Sequence, residues 1–278
     1  MGGVRTALAS AAAALLTLLA ASPASGATPA PPKLNVPVFG PFRSVLAQGE
    51  GQTTTAKDLA AYEAFGTIPP TFTNQQPLYV GIMPHASTLT SHDLNVFYKN
   101  TTFGSMPGGV GTHESPKPGV QIFFDARYGM AHIYASNFQD LTWACGYEQA
   151  QERLFLMDVL RRTAEGRMAG LLGPSAAAGD ASQLTTQDYS PAELTAQANG
   201  LPKHYGAAGA KALNALKQYV AGINARIQYD KQHPDQMPAE YAALGTTPAP
   251  WKLADTGAEA VLLETQFTVS GGSQQVAD

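Results

Sequence analysis

Cysteine is almost absent from this chain: Cys145 is the only one among 278 residues, so no disulfide can form within it. Flanked by "TWA" and "GY", it is expected to be a small buried hydrophobe rather than a reactive thiol. Charge is scarce as well. Only 14% of the residues are Asp, Glu, Lys or Arg, against roughly 25% in an average globular protein. The formal net charge is −4, and no basic run is long enough to track a phosphate backbone, so no nucleic-acid partner is expected. The six histidines are scattered and form no HExxH or other paired ligand spacing, which argues against a metal site. No G-x-S-x-G elbow is present. "GEGQT" and "GGVGT" lack the Lys-Ser/Thr of a phosphate-binding loop and are read as plain loops. Beyond the first residues, no segment is apolar and long enough to span a bilayer.

What is present begins with an address. A short basic start ending at Arg5, the apolar "ALASAAAALLTLLAA" and the small residues "SPASGA" form the three-part pattern of a secretory signal over residues 1–27, with cleavage expected after Gly26 or Ala27. Residues 28–119 read as a Pro/Gly-rich leader with short helices. "ATPAPPKLNVPVFGP" suits an extended tether. "TAKDLAAYEAFG" places Leu59, Tyr62 and Phe65 at three-residue spacing, closed by Gly66. "TLTSHDLNVFYKNTTFG" suggests a second helix, with Leu94, Phe97 and Tyr98 on one side; Asn100-Thr101-Thr102 fits a glycosylation triplet. "SMPGGVGTHESPKPG" is a loop by composition, with His113-Glu114 expected in solvent.

The texture changes at residue 120. "VQIFFD" and "HIYA", separated by "ARYGM", predict a β-hairpin whose turn uses the conformational freedom of Gly129. His132 in that hairpin reads as a hydrogen-bonded structural residue. Asn137 with Asp140 marks a helix start, Gly173-Pro174 a stop, and Gly166 and Gly170 are candidate breaks. Leu154, Phe155, Met157, Val159 and Leu160 leave hardly any polar face, so charge in this helix must be paired: Asp158 with Arg161 and Arg162, and Arg161 with Glu165. "GAKALNALKQYVAGINARIQYDKQ" is a clean amphipathic helix through Leu213, Leu216, Val220, Ile223 and Ile227. A proline-punctuated excursion follows, then a last helix, "TGAEAVLLETQF", with Asp255 as its expected N-cap. The end, "SGGSQQVAD", is expected to be an interior point of a longer chain.

The stretch "DARYGMAHIYASNFQDLTWACGYEQAQERLFLMDVLRRTAEGRMAGLLG" resembles the penicillin acylase family, secreted N-terminal nucleophile hydrolases. The matching positions are Asp125, Gly129, His132, Ile133, Tyr134, Ala135, Gly146, Tyr147, Ala150, Gln151, Glu152, Arg153, Leu154, Phe155, Met157, Asp158, Arg161 and Arg162. Ala131 stands where the family usually has Pro. "YVAGINARI" and "MPAEYAALGTTPAPWKLAD" are similar to the family's Gly-Ile-Asn helix and Pro-Trp segment.

The resemblance implies a precursor that cuts itself into α and β chains, with a Ser at the new β N-terminus as nucleophile and its own amino group as base. Residues 120–278 would be a truncated α-chain portion. The expected fold is mainly α with a small β-hairpin, an incomplete portion of an α+β (αββα, N-terminal nucleophile hydrolase) fold. No catalytic residue is expected in this chain, and Ser270 and Ser273 are not assigned that role. Gly129, His132, Tyr134, Tyr147, Asp158, Arg161 and Arg162 are expected to be structural, and Phe267 is the one substrate-binding candidate. The implied partners are the β-chain portion of the same precursor and a small acylated-amine substrate. The family often binds calcium between its chains, but Gln274 and Gln275 here are neutral ligands, so no cofactor or metal is assigned to this chain. The competing reading is a non-catalytic truncated remnant. As an isolated α portion, the chain is expected to expose Leu213, Val220 and Ile227 to water.

Overall fold

The computed structural model describes residues 29–32, 43–44, 53–69, 80–100, 106–187 and 189–277, with backbone alone at 43–44, 94–95, 99–100 and 266–277. Residues 31–278 form one compact unit. Its strands are β1 (Arg43–Ser44), β2 (Lys99–Asn100), β3 (Val110–Glu114), β4 (Val120–Asp125) and β5 (Ala131–Ala135). Its helices are α1 (Ala56–Phe65), α2 (Ser91–Phe97), α3 (Phe138–Ala164), α4 (Ala169–Leu172), α5 (Ala177–Thr186), α6 (Pro191–Gln232), α7 (Ala239–Ala243) and α8 (Leu253–Ala277). No described helix is long and apolar enough to cross a membrane. The chain is thus mostly helical with a small antiparallel sheet.

That sheet has three strands in the order β3-β4-β5 rather than the two of a hairpin. The added strand, β3, lies inside the Gly/Pro-rich segment read from composition as a loop. A bulge between Val110 and Thr112 breaks its alternation, and Gly111 sits there because a Cβ would stand 2.9 Å from Ala126 Cα. The pairing also half-buries His113: its ring lies 4.4 Å from that of Phe123, and its buried Nε2 has no hydrogen-bond partner among the described residues. Between β4 and β5 the turn is organised by Asp125, whose carboxylate accepts from the backbone N–H of Arg127 (3.0 Å), Tyr128 (2.7 Å) and Met130 (2.9 Å). Gly129, at φ 68°, closes the turn.

One face of β4, through Val120, Ile122 and Phe124, packs on Ala144 and Tyr147 of α3. α3 begins at Asn137, whose side chain accepts from Asp140 N (2.9 Å), and it bends at Arg153, where the guanidinium reaches the Glu152 carbonyl (2.8 Å). The helix ends before Gly166, which adopts φ 59°, whereas Gly170 lies within α4. α6 starts at a Ser190–Glu193 capping box with Pro191 in its first turn, and runs through a break at Gly206 (φ 57°). The amphipathic segment beginning near Gly209 is therefore the second limb of a longer helix.

α3 and α6 cross at two glycines. A Cβ on Gly222 would lie 2.8 Å from Tyr147 N and 2.9 Å from the Trp143 carbonyl carbon; one on Gly146 would lie 2.9 Å from the Tyr219 carbonyl carbon. This close approach lets Ala150, Leu154, Met157, Ile223 and Ile227 form one core with Met237, Tyr241 and Trp251. Ile227 is 3% exposed and Leu213 and Val220 are half-buried, so the expectation that all three face water is corrected: Ile227 and Val220 pack into the core shared with α3 and the 237–251 segment. Cys145 is corrected in the opposite direction. It faces out from α3 alongside Leu141, while the neighbouring Ala144 and Gly146 face in. Its thiol is still half enclosed, and burial, helped by Glu148, raises its pKa.

The leader is stitched to this body. Ala56 N donates to Met237 O (2.8 Å) and Ala239 N to Thr54 O (2.9 Å), on either side of a Thr55–Pro238 bridge. Thr55 and Asp58 form the capping box that starts α1, and Gly66 ends it in the left-handed region. Tyr98 falls just outside α2. The tether from Lys33 onward, "GEGQT" up to Gln52, and the Asn100 triplet lie outside the described side chains.

Candidate functional site

The polar motif residues of α3 fall into two clusters. The first lies around Arg161, which is 3% exposed. Its Nε donates to Asp158 Oδ1 (2.7 Å), its Nη1 to Asp255 Oδ2 (2.9 Å) and to the Pro250 carbonyl (3.3 Å), and its Nη2 to the Ala249 carbonyl (3.2 Å). The guanidinium also sits 4.7 Å from the centroid of Trp251. Arg162 donates to Asp158 (3.0 Å), and Tyr241 Oη donates to its other oxygen (3.2 Å). Burial alone would lower the Arg161 pKa, but Asp158 and Asp255 outweigh it and raise it.

The expected Arg161–Glu165 pair does not form. Glu165 pairs with Arg167, because Asp255 brings a carboxylate to Arg161 from 94 residues away. Asp255 is accordingly not the N-cap of α8. It lies in the first turn and accepts from Lys252 N (3.0 Å). Asn224 completes the cluster, exchanging two hydrogen bonds with the Trp251 backbone (2.7 and 2.8 Å). These hydrogen bonds all run between protein groups, so the cluster ties α3, α6 and α8 together.

The second cluster lies where α3, α6 and β3 meet. Arg226, 5% exposed, donates from Nη1 to Gln151 Oε1 (2.6 Å), and Gln151 Nε2 donates to Glu114 Oε1 (2.9 Å). Arg226 Nε stands 2.8 Å from Asp230 Oδ1 as an ion pair, but the two are not aligned for a hydrogen bond. Tyr147 and Tyr229 present their rings to the guanidinium at 5.8 and 5.0 Å. Burial pushes Glu152 up to about 8, reinforced by Glu148, and pushes Glu148 itself up to about 7. Burial also raises Asp230 to about 6, against the pull of Arg226.

The remaining motif positions are on the sheet. His132 lies opposite Phe123, and Tyr134 meets that ring edge-on at 5.6 Å. His132 Nε2 has no partner among the described residues, and burial lowers the pKa of the ring. Phe267 lies on the backbone of α8, and its side chain falls outside the described residues, as do those of Ser270, Ser273, Gln274 and Gln275. Sequence reasoning did not single out Arg226, Asp230 or Glu114 as partners. The i,i+4 spacing of Arg226 and Asp230 was the one local signal for them.

The penicillin amidase family model matches residues 119–278. Over 129 residues the chain is 36% identical to the penicillin acylase 2 proenzyme of Pseudomonas sp. (strain SE83), covering 45% of this chain and 14% of that protein. It is 32% identical to penicillin G acylase of Escherichia coli over 129 residues, covering 46% and 14%. Acyl-homoserine lactone acylase QuiP of Pseudomonas aeruginosa is 30% identical over 142 residues, covering 51% and 15%. Among solved structures the chain is similar to a thermostable penicillin G acylase from Alcaligenes faecalis, at 26% identity and a TM-score of 0.44, covering 54% of this chain and 72% of that one. The chain belongs to the penicillin amidase family. It spans 14–15% of the length of these curated relatives.

Proposed function

We propose that this chain is the N-terminal, α-chain portion of an exported amidohydrolase that cleaves an acylated amine into a carboxylic acid and an amine. The observation that carries this reading is the family match over residues 119–278, with relatives named as penicillin acylases and acyl-homoserine lactone acylases. The signal-like residues 1–27 support export. In this reading the nucleophile is a Ser at the N-terminus of the β portion of the same precursor, and the described helices are scaffold. The Arg161 cluster holds α8 against α3, and α8 carries Phe267, the substrate-binding candidate.

The test is expression of the longer gene product followed by amine release from phenylacetyl amides and acyl-homoserine lactones. Self-cleavage into two chains, with hydrolysis abolished by replacing the new N-terminal Ser, is the expected result. A product that neither cleaves itself nor hydrolyses any acylated amine would establish the non-catalytic reading instead.

A further inference from the structure

The leader and the family-matched region meet at a cavity of about 480 Å³. Asp58 comes from α1, Glu114 from the end of β3, Tyr147 and Glu152 from α3, and Arg226 and Tyr229 from α6. Three carboxyl groups from three elements thus share one space with a single cation, and that cation is already engaged by Gln151 and Asp230.

The acceptors are not exhausted. Asp58 takes Thr55 N (2.9 Å) and Thr55 Oγ1 (2.8 Å) on Oδ2, and Glu114 takes Gln151 on Oε1. Among the described residues, the second oxygen of each has no hydrogen-bond partner. Glu152 is 7% exposed, and its Oε2 is buried with no partner either. A site rich in unmatched acceptors calls for a ligand that only donates, and an ammonium group has three N–H donors and no acceptor. A metal ion fits less well, since no three His, Cys, Asp or Glu among the described residues converge to hold one.

We propose that this cavity binds a small organic ammonium ion, drawn in by the carboxyl groups of Asp58, Glu114 and Glu152 spaced around its wall and enclosed on one side by the leader. Binding is coupled to a proton. The groups facing Glu152 are Glu148 and Arg153 on its own helix, Glu114 on β3 and Arg226 on α6; Asp58 is the charge presented by the leader. Burial holds Glu152 protonated at neutral pH, at about 8, and an arriving cation displaces that proton.

The experiment is calorimetric titration of the full chain with methylammonium chloride at pH 6 and pH 8, in two buffers of different ionisation heat, with potassium chloride and glycerol as controls. Saturable binding is expected, at least about fivefold tighter at pH 8 and with proton release on binding. Glu114→Gln keeps an acceptor for Gln151 and is expected to weaken binding about tenfold without moving the thermal melt. Asp58→Asn serves the same purpose if that variant fails to fold, and Glu152→Gln should remove the proton release. No saturable heat up to about 100 mM methylammonium overturns the proposal. So does an equal response to potassium, which marks ionic strength alone, or to glycerol, which marks a polyol site. Unchanged affinity in the folded Glu114→Gln variant overturns it as well.

Discussion

Replacing Gly222 by Ala tests the helix crossing on which this fold is built. The added Cβ would stand 2.8 Å from Tyr147 N and 2.9 Å from the Trp143 carbonyl carbon, and nearer still to that carbonyl's oxygen. All three are backbone atoms, so no rotamer change relieves the clash and α3 and α6 must separate. A gap of roughly 0.5–1 Å forfeits a quarter to a half of each dispersion contact across the seam. Leu154, Met157, Ile223 and Ile227 each stabilise the fold by about 1.5–3 kcal/mol through burial, so the loss is roughly 2–5 kcal/mol. Alanine's better helix propensity returns about 1 kcal/mol, leaving a net loss of about 3 kcal/mol. That is a large part of the 5–15 kcal/mol typical of a domain.

Gly179 in α5 is the matched control. Nothing stands within 4 Å of a Cβ there and its φ is not positive, so Gly179→Ala should stabilise by about 0.5–1 kcal/mol. Urea denaturation of the chain, followed by far-UV circular dichroism, reads both. Equal midpoints for the two variants, or a shift of the same sign, would refute the reasoning.

Three further outcomes follow from the same structure. The Glu152 carboxyl is raised from 4.5 to about 8 by burial and by Glu148, so between those values the unfolded chain ionises while the folded chain keeps its proton, and stability falls as pH rises. Glu152→Gln should therefore leave stability unchanged at pH 4 and raise it by about 4 kcal/mol at pH 8; a pH-independent effect would show that this carboxyl is not the group responsible. Asp158→Asn removes the charge shared by Arg161, Arg162 and Tyr241 and should cost about 3–5 kcal/mol, seen as a lower denaturation midpoint. Asp125→Ala strands three backbone N–H groups and should cost about 3 kcal/mol; a thermal melt indistinguishable from the parent would rule out that role.

Local signals served where the physics is local. The turn at Gly129, the caps at Asn137 and Gly66, and the Asp158–Arg161/Arg162 pairs are all set within a few residues of one another, and each was legible. β3 was not, because the glycine that seats it beside Ala126 is the same residue that makes its sequence look like a loop. The partner of Arg161 was misread for another reason: Glu165 satisfies the helical spacing, but only the fold delivers Asp255. Glu152 stood in plain view inside a family motif. Its protonation, however, depends on how deeply α6 and β3 bury it, which no periodicity encodes. Cys145 was judged by its apolar neighbours, although a helix turns 100° between them.

The two backbone hydrogen bonds that join Thr54 and Ala56 to Ala239 and Met237 also bear on where this molecule begins. Similarity to other proteins draws a line at residue 119, while the main chain ties itself together 65 residues earlier. A gene trimmed to the recognisable span would leave the Met237 carbonyl and the Ala239 amide without their mates, and would open a charged hollow to bulk solvent. The boundary of kinship and the boundary of the folded body are different lines in this chain, and a biochemist cutting at the first would be handling a wounded version of the second.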